Sequence, residues 1–227
     1  MATEICDSSQ LANVAAQRIA AALLTAIAGE GRASLALAGG TTPRGAYEEL
    51  AKISGIDWGR VSVYFGDERA VPPTHPDSNF RMADAALFSR VALPADNIYR
   101  VQAELGDREA VARAYEALLP EHISVMVLGI GEDGHTASLF PGSPALQERT
   151  RRFVPVIGPK PPPERFSVTP PVIEAAQRII MLATGAGKAD AVAHALRGPL
   201  DIDRTPSALA RQGLWLLDSA AAAKLSD

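Results

Sequence analysis

Four times along this chain a short apolar run stops at glycine or polar residues and gives way to a segment of helical pattern. That alternation confines the fold to a mostly parallel sheet with helices packed on it. The run 34–38 ends at Gly39-Gly40, with Pro43 placed as in the first turn of a helix reaching about residue 53. Runs 61–65, 123–128 and 178–183 end in a polar loop, in Gly129-Ile130-Gly131 and in Thr184-Gly185. Helices are expected over 109–119 and 188–196, and a late strand over 214–217. Runs such as SVMVL and RIIML are apolar without alternation, as strands covered on both faces are. Ahead of them Leu11, Val14, Ile19, Leu23 and Ile27 recur near a helical period, between Asp7 or Ser8 as N-cap and Gly29 as stop. The expectation is a single α/β domain over residues 1–227, with ligands bound beyond the carboxyl ends of its strands, where such sheets hold them.

Charge narrows the ligand. The chain carries a formal net charge of −4, so an anion must be drawn in by a few local cations and N–H groups and not by a basic surface. Nucleic acid is a poor partner on that ground, and no basic run with interleaved aromatics argues otherwise. The one cysteine, Cys6, cannot form an internal disulfide. No apolar stretch approaches the roughly 20 residues of a membrane span, and MATEICDSSQ lacks the pattern of a signal peptide. A monomer in the cytoplasm, away from membranes, is the expectation.

Three loops collect the unusual residues. In the first, Gly39-Gly40-Thr41-Thr42-Pro43 brings bare N–H groups and two hydroxyls to a helix N-terminus, where unsatisfied donors and the dipole favour a phosphate. A tight turn that needs glycine for its backbone angles explains it equally well. It is not a P-loop, because the Lys-Ser/Thr is missing. The second loop, Gly66-Asp67-Glu68-Arg69, sets charged residues at the end of an apolar strand, and as a bare triplet it reads first as a solvated loop with an internal ion pair.

The third loop runs from Gly129 to Ser138, GIGEDGHTAS. It matches GxGxxG literally, but two carboxylates inside it would repel a pyrophosphate and it follows a late strand, so a dinucleotide site is rejected. What remains is His135 beside Asp133 at what reads as a helix start. There the positive helix end would lower the imidazole pKa and favour the neutral form a general base needs. His75, His122 and His194 read as ordinary packing or capping residues. Lys160, Arg165 and Lys188 stand near the remaining strand ends, either as snorkelling surface residues or as clamps on a phosphate held by the first loop. Lys160 lies in GPKPPP, a stiff loop too short to link domains. No paired histidines, cysteine cluster or HExxH supports a metal site, no cofactor is implied, and no GxSxG supplies a nucleophile. Water activated by a base is the simpler hydrolytic scheme.

Taken together, LALAGGTTPRGAYEEL, VYFGDERAVPPTHPDSNFRMA, LGIGEDGHTASLFPG, PKPPPERFSVTPPVI and TGAGKADAV resemble, in order, the signature blocks of the 6-phosphogluconolactonases, in the glucosamine-6-phosphate isomerase/6-phosphogluconolactonase family. The resemblance implies a Rossmann-like three-layer αβα fold and hydrolysis of a phosphorylated sugar lactone. It also implies His135 as general base, Arg69 on the developing negative charge with Asp67 beside it, and Gly40, Thr41, Arg165 and Lys188 on the phosphate. The deaminases of the same fold resemble GHIAFNEPG where this chain has GHTASLFPG, so Phe140 stands at their glutamate position, and Arg69 replaces the tyrosine of their DEY. Both departures count against an aminosugar deaminase. A non-catalytic sugar-phosphate sensor is the other rival, and the intact Asp133/His135 loop beside Arg69 counts against it.

Overall fold

The computed structural model describes residues 2–225. A first strand, β1 (Ala2–Cys6), leads into the long helix α1 (Ser8–Glu30), then β2 (Ala33–Leu37) and α2 (Thr41–Leu50). Next come β3 (Val61–Phe65), the short β4 (Asp67–Arg69), α3 (Asn79–Ala86), α4 (Arg108–Glu116) and β5 (Val125–Gly129). The chain continues with β6 (Phe153–Ile157), β7 (Glu164–Val168), α5 (Pro170–Glu174), β8 (Ile179–Ala183), α6 (Ala189–Arg197) and β9 (Leu214–Asp218).

Six strands form one sheet in the order β1-β9-β8-β5-β2-β3, with helices on both sides. Every pairing in it is parallel. The chain steps outward from β2 to β3 and later returns to place β5 on the other flank of β2. Loops leaving β2 and β5 therefore diverge, and a crevice opens between them at the carboxyl edge.

Two features of the main sheet differ from expectation. β1 pairs with β9 as an edge strand, although most of its residues, ATEIC, are exposed. α1 runs past Gly29 and stops at Gly31, which takes the left-handed conformation (φ 74°) and donates to the Ile27 carbonyl. Over its 23 residues α1 is long and apolar enough to cross a membrane by length and composition, which corrects the expectation that no stretch approaches that limit. In the fold its Leu11, Ile19 and Leu23 are at most 2% exposed.

The larger correction is a second sheet. β4, β7 and β6 form an antiparallel sheet in the order β4-β7-β6, so the charged Asp67–Arg69 is a strand and not a loop. Pro155 lies within β6 at the edge of this sheet, where a missing N–H is tolerated.

Two buried tyrosines fix the points where the chain leaves the main sheet. The Tyr47 hydroxyl accepts from Ala38 N (2.9 Å) and donates to Ala38 O (3.1 Å), just past β2. Tyr115 Oη accepts from Phe65 N at 2.7 Å, at the last residue of β3. Burial raises both phenol pKa values, so these hydroxyls keep their protons. Each hydroxyl satisfies backbone groups that would otherwise be buried unpaired, at about 1–3 kcal/mol per group.

Candidate active site

A cleft opens at the carboxyl edge, lined by Gly39, Gly40, Asp67, Arg69, His135, Lys160, Arg165 and Lys188 together with Gly129–Gly131 and Ala137. Strand alternation explains the grouping. β4 and β7 pair with Asp67 opposite Ser167 and Arg69 opposite Arg165, and directly opposed residues, like those two apart along a strand, share a face. Two guanidiniums facing each other across an antiparallel pair repel. Burial first, and then the Arg69 charge, push Arg165 below the ordinary guanidinium range. Negative charge brought to either guanidinium by a ligand would relieve that repulsion.

Arg69 Nη1 donates to the Asp77 carbonyl at 2.7 Å, while its buried Nε has no hydrogen-bond partner. Arg165, 6% exposed, donates from Nε to Pro162 O (2.9 Å) and from Nη2 to Lys160 O (3.3 Å), so it pins the loop that carries Lys160. Glu68 points to the other side of β4 and is not the ion-pair partner of Arg69. It accepts from the backbone N–H groups of Asn79 (2.7 Å), Phe80 (2.8 Å) and Arg69 (2.8 Å), and so anchors the first turn of α3. Burial pushes its carboxyl up, against the pull of those donors.

His135 and Asp133 form a close pair, Nδ1 to Oδ1 at 2.5 Å. With Nδ1 facing a carboxylate, that nitrogen carries the proton and Nε2 is left to accept one. No helix begins here: the segment is irregular until the 3-10 turn Pro144–Gln147. The expected helix-end effect on the imidazole is therefore absent. His135 nevertheless sits below the ordinary imidazole value of 6.5, because burial outweighs the attraction of Asp133 and Asp67. Burial also raises Asp133, but His135 and Lys160 bring its carboxyl net below the usual range. If neutral His135 is the working form, kcat/KM falls as pH drops through the imidazole pKa. A pH–rate profile should therefore show its acid limb below pH 6.5, and a limb above that value would contradict the assignment.

The first loop is a turn that depends on glycine. Gly40 adopts φ 103°, which requires glycine, and no side chain caps the N-terminus of α2, so its leading N–H groups stay available to a ligand. Thr42 Oγ1 lies 2.7 Å from Thr184 Oγ1 and ties this loop to the one after β8. Thr41 is exposed, and neither threonine lines the cleft. Lys188 follows the loop after β8, at the N-cap of α6, and does line it.

Three site residues escape a reading by motif. Asn79 donates from Nδ2 to Asp67 Oδ1 at 3.0 Å, and Ser138 Oγ donates to Asp67 Oδ2 at 2.7 Å. Ser167 Oγ accepts from Ser138 N at 3.2 Å. The glycine at 39 serves this network, since an added Cβ would lie 2.0 Å from Asn79 Oδ1. Between His135 and Ser138, Ala137 takes the left-handed conformation (φ 49°), a strained state for a residue with a side chain that is characteristic of ligand sites. One tetrapeptide thus aims the imidazole and holds Asp67. The pairing of β4 with β7 brings Ser167 opposite Asp67, and β4 has no apolar pattern to reveal it.

Residues 6–216 match the family described as glucosamine-6-phosphate isomerases/6-phosphogluconolactonase. Among curated proteins, the 6-phosphogluconolactonase of Streptomyces coelicolor is 40% identical over 96% of this chain and 92% of its own length. That of Nostoc sp. is 42% identical over 89% and 88%. Among solved structures, 6-phosphogluconolactonase from Trypanosoma cruzi superposes with a TM-score of 0.85 at 27% identity, covering all of this chain and 97% of its own. A monomeric glucosamine-6-phosphate deaminase reaches a TM-score of 0.87 at 22% identity, covering 99% of this chain and 100% of its own, a likeness of fold alone.

Proposed function

The chain belongs to the glucosamine-6-phosphate isomerase/6-phosphogluconolactonase family, and we propose that it hydrolyses 6-phospho-D-glucono-1,5-lactone to 6-phosphogluconate in the oxidative pentose phosphate pathway. The observation that carries this reading is a pair of opposed arginines, Arg69 and Arg165, in the same cleft as a histidine backed by a carboxylate. Such a cleft offers an anion site and a base within one pocket.

In the proposed reaction the phosphate rests on Arg165, Lys188, Lys160 and the N–H groups at the start of α2. His135 Nε2 takes a proton from a water molecule as that water attacks the lactone carbonyl. Asp133 holds the imidazole in its acceptor tautomer and favours the imidazolium that forms. Arg69 and loop N–H groups stabilise the oxyanion. When the tetrahedral intermediate collapses, the ring C–O bond breaks, and the imidazolium returns its proton to the leaving ring oxygen. Asp67, held by Asn79 and Ser138, accepts a hydrogen bond from a sugar hydroxyl.

Phe140 fills the position where the deaminase pattern has its glutamate, so the acid-base array for an aldose–ketose rearrangement is incomplete here. The test is an assay with freshly generated lactone, corrected for spontaneous hydrolysis. Enzyme-dependent turnover is the expected result. Turnover at the uncatalysed rate, with ammonia released from glucosamine-6-phosphate instead, would overturn the reading.

A further inference from the structure

We propose that Phe140 is a positioning residue shared by the proton-transfer and anion-binding halves of the cleft: its ring packs on the His135 imidazole and carries the Arg165 guanidinium. The inference rests on the lactonase reading for what the two halves do. Phe140 is 4% exposed. Its ring centroid lies 4.6 Å from that of His135, with the planes tilted by 40°. Arg165 Cζ stands 5.5 Å from the same centroid. The loop behind it closes the arrangement, since a Cβ added at Gly158 would lie 2.7 Å from Phe140 Cε2. That loop is in turn pinned by Arg165 through the carbonyls of Pro162 and Lys160. Base, ring, guanidinium and loop therefore touch in sequence, and the ring sets no charge beside the guanidinium.

The physical consequences of the two contacts differ. An apolar ring against the imidazole keeps water off it and disfavours its charged form. The other groups acting on His135 are Asp133 and Asp67, which favour the imidazolium, and Lys160, which opposes it; Arg69 and Arg165 also line the cleft. Without the ring, the two carboxylates would dominate a wetter imidazole. On the other contact, the aromatic face offers a buried guanidinium an attraction that its neighbour Arg69 does not. The ring thus keeps the base neutral and holds Arg165 steady without placing a counter-charge where the phosphate must bind.

Leucine and alanine variants separate these contacts. Phe140→Leu retains apolar cover but has no π face. Its His135 titration, followed by NMR of the imidazole protons, should stay at the wild-type position, while KM for the lactone and the inhibition constant of inorganic phosphate rise about two- to thirtyfold, the range of one cation–π contact. Phe140→Ala loses both contacts. The His135 midpoint should also move up toward the ordinary imidazole value, carrying the acid limb of kcat/KM with it. Should the alanine variant fail to fold, the leucine variant and its phosphate inhibition decide the matter. If both variants lower kcat equally at every pH, with KM, phosphate inhibition and His135 titration unmoved, Phe140 is a packing residue only and the proposal falls. The NMR titration, and phosphate binding measured calorimetrically, need no lactone turnover. Failure of the lactonase reading would therefore be seen separately, in the wild-type assay.

Discussion

His135→Ala is expected to lower kcat for the 6-phospho lactone by about 10²- to 10⁴-fold, the usual contribution of a general base. The residual rate should remain above that of the lactone in water, because Arg69 and the loop N–H groups would still meet the developing oxyanion. Stability should change little. The side chain is 20% exposed and its hydrogen-bonding partner Asp133 is 32% exposed, so the orphaned carboxylate is hydrated and not stranded. Added imidazole should restore part of the lost rate by occupying the vacated space beside Phe140. Turnover within a few-fold of wild type, from a variant with an unchanged melting temperature, would remove His135 from the mechanism.

The reason to expect so large a loss is geometric. The imidazole can both accept a proton near neutral pH and return it. Burial holds His135 in its neutral form, and the 2.5 Å contact of Nδ1 with Asp133 leaves Nε2 as the acceptor. Lys160, Arg165, Arg69 and Lys188 are cations suited to holding charge.

The parts of this site that were legible in the sequence are those whose chemistry lies within one short segment. Gly39-Gly40, Asp133 with His135, and the apolar runs ending at each of them stand next to one another along the chain. Lys160, Arg165 and Lys188 were legible as cations near strand ends. What linked them was not, because the link is the pairing of β4 with β7. A three-residue strand of Asp, Glu and Arg carries no alternation of apolar and polar residues, and β6 contains a proline, so the usual strand signals are missing from β4 and weakened in β6.

The missing helix start at His135 has a related cause. GEDGHTASLF combines small polar residues with a following apolar pair, much as a helix start does, yet Pro141-Gly142 follows and the segment folds back on itself. Gly131 N donates to His135 O at 2.8 Å, and Leu139 N to Thr136 O at 2.9 Å. Those turns, and not a helix dipole, aim the imidazole, and burial supplies the lowered pKa that the dipole was expected to give. β1 escaped notice because an edge strand is covered by few neighbours, and three of its five residues are exposed. The end of α1 was misplaced by two residues because Gly29 and Gly31 are equivalent as letters, and only the second takes a positive φ.

Gly131→Ala tests the claim that this folded-back loop holds the catalytic pair. A Cβ at 131 would lie 2.0 Å from His135 Nδ1 and 2.3 Å from Asp133 Oδ1, distances that no real contact survives. The backbone of Gly131 does not occupy the left-handed region, so alanine meets no conformational objection there, and the whole cost falls on the two side chains. They must move apart or rotate, by on the order of 1 Å, and a displacement of that size at a reacting group costs about 10²-fold in rate. The expected result is therefore a loss of about 10²-fold in kcat with KM little changed, since the anion-binding residues stand on other loops. The decisive measurement is the double variant. If alanine at 131 acts only by displacing the pair, then adding it to His135→Ala should cost almost nothing further, because the group it disturbs is already gone. Full additivity of the two losses would mean that Gly131 serves the reaction independently of His135, through its own N–H or through the shape of the cleft, and the dyad would not be what this glycine protects.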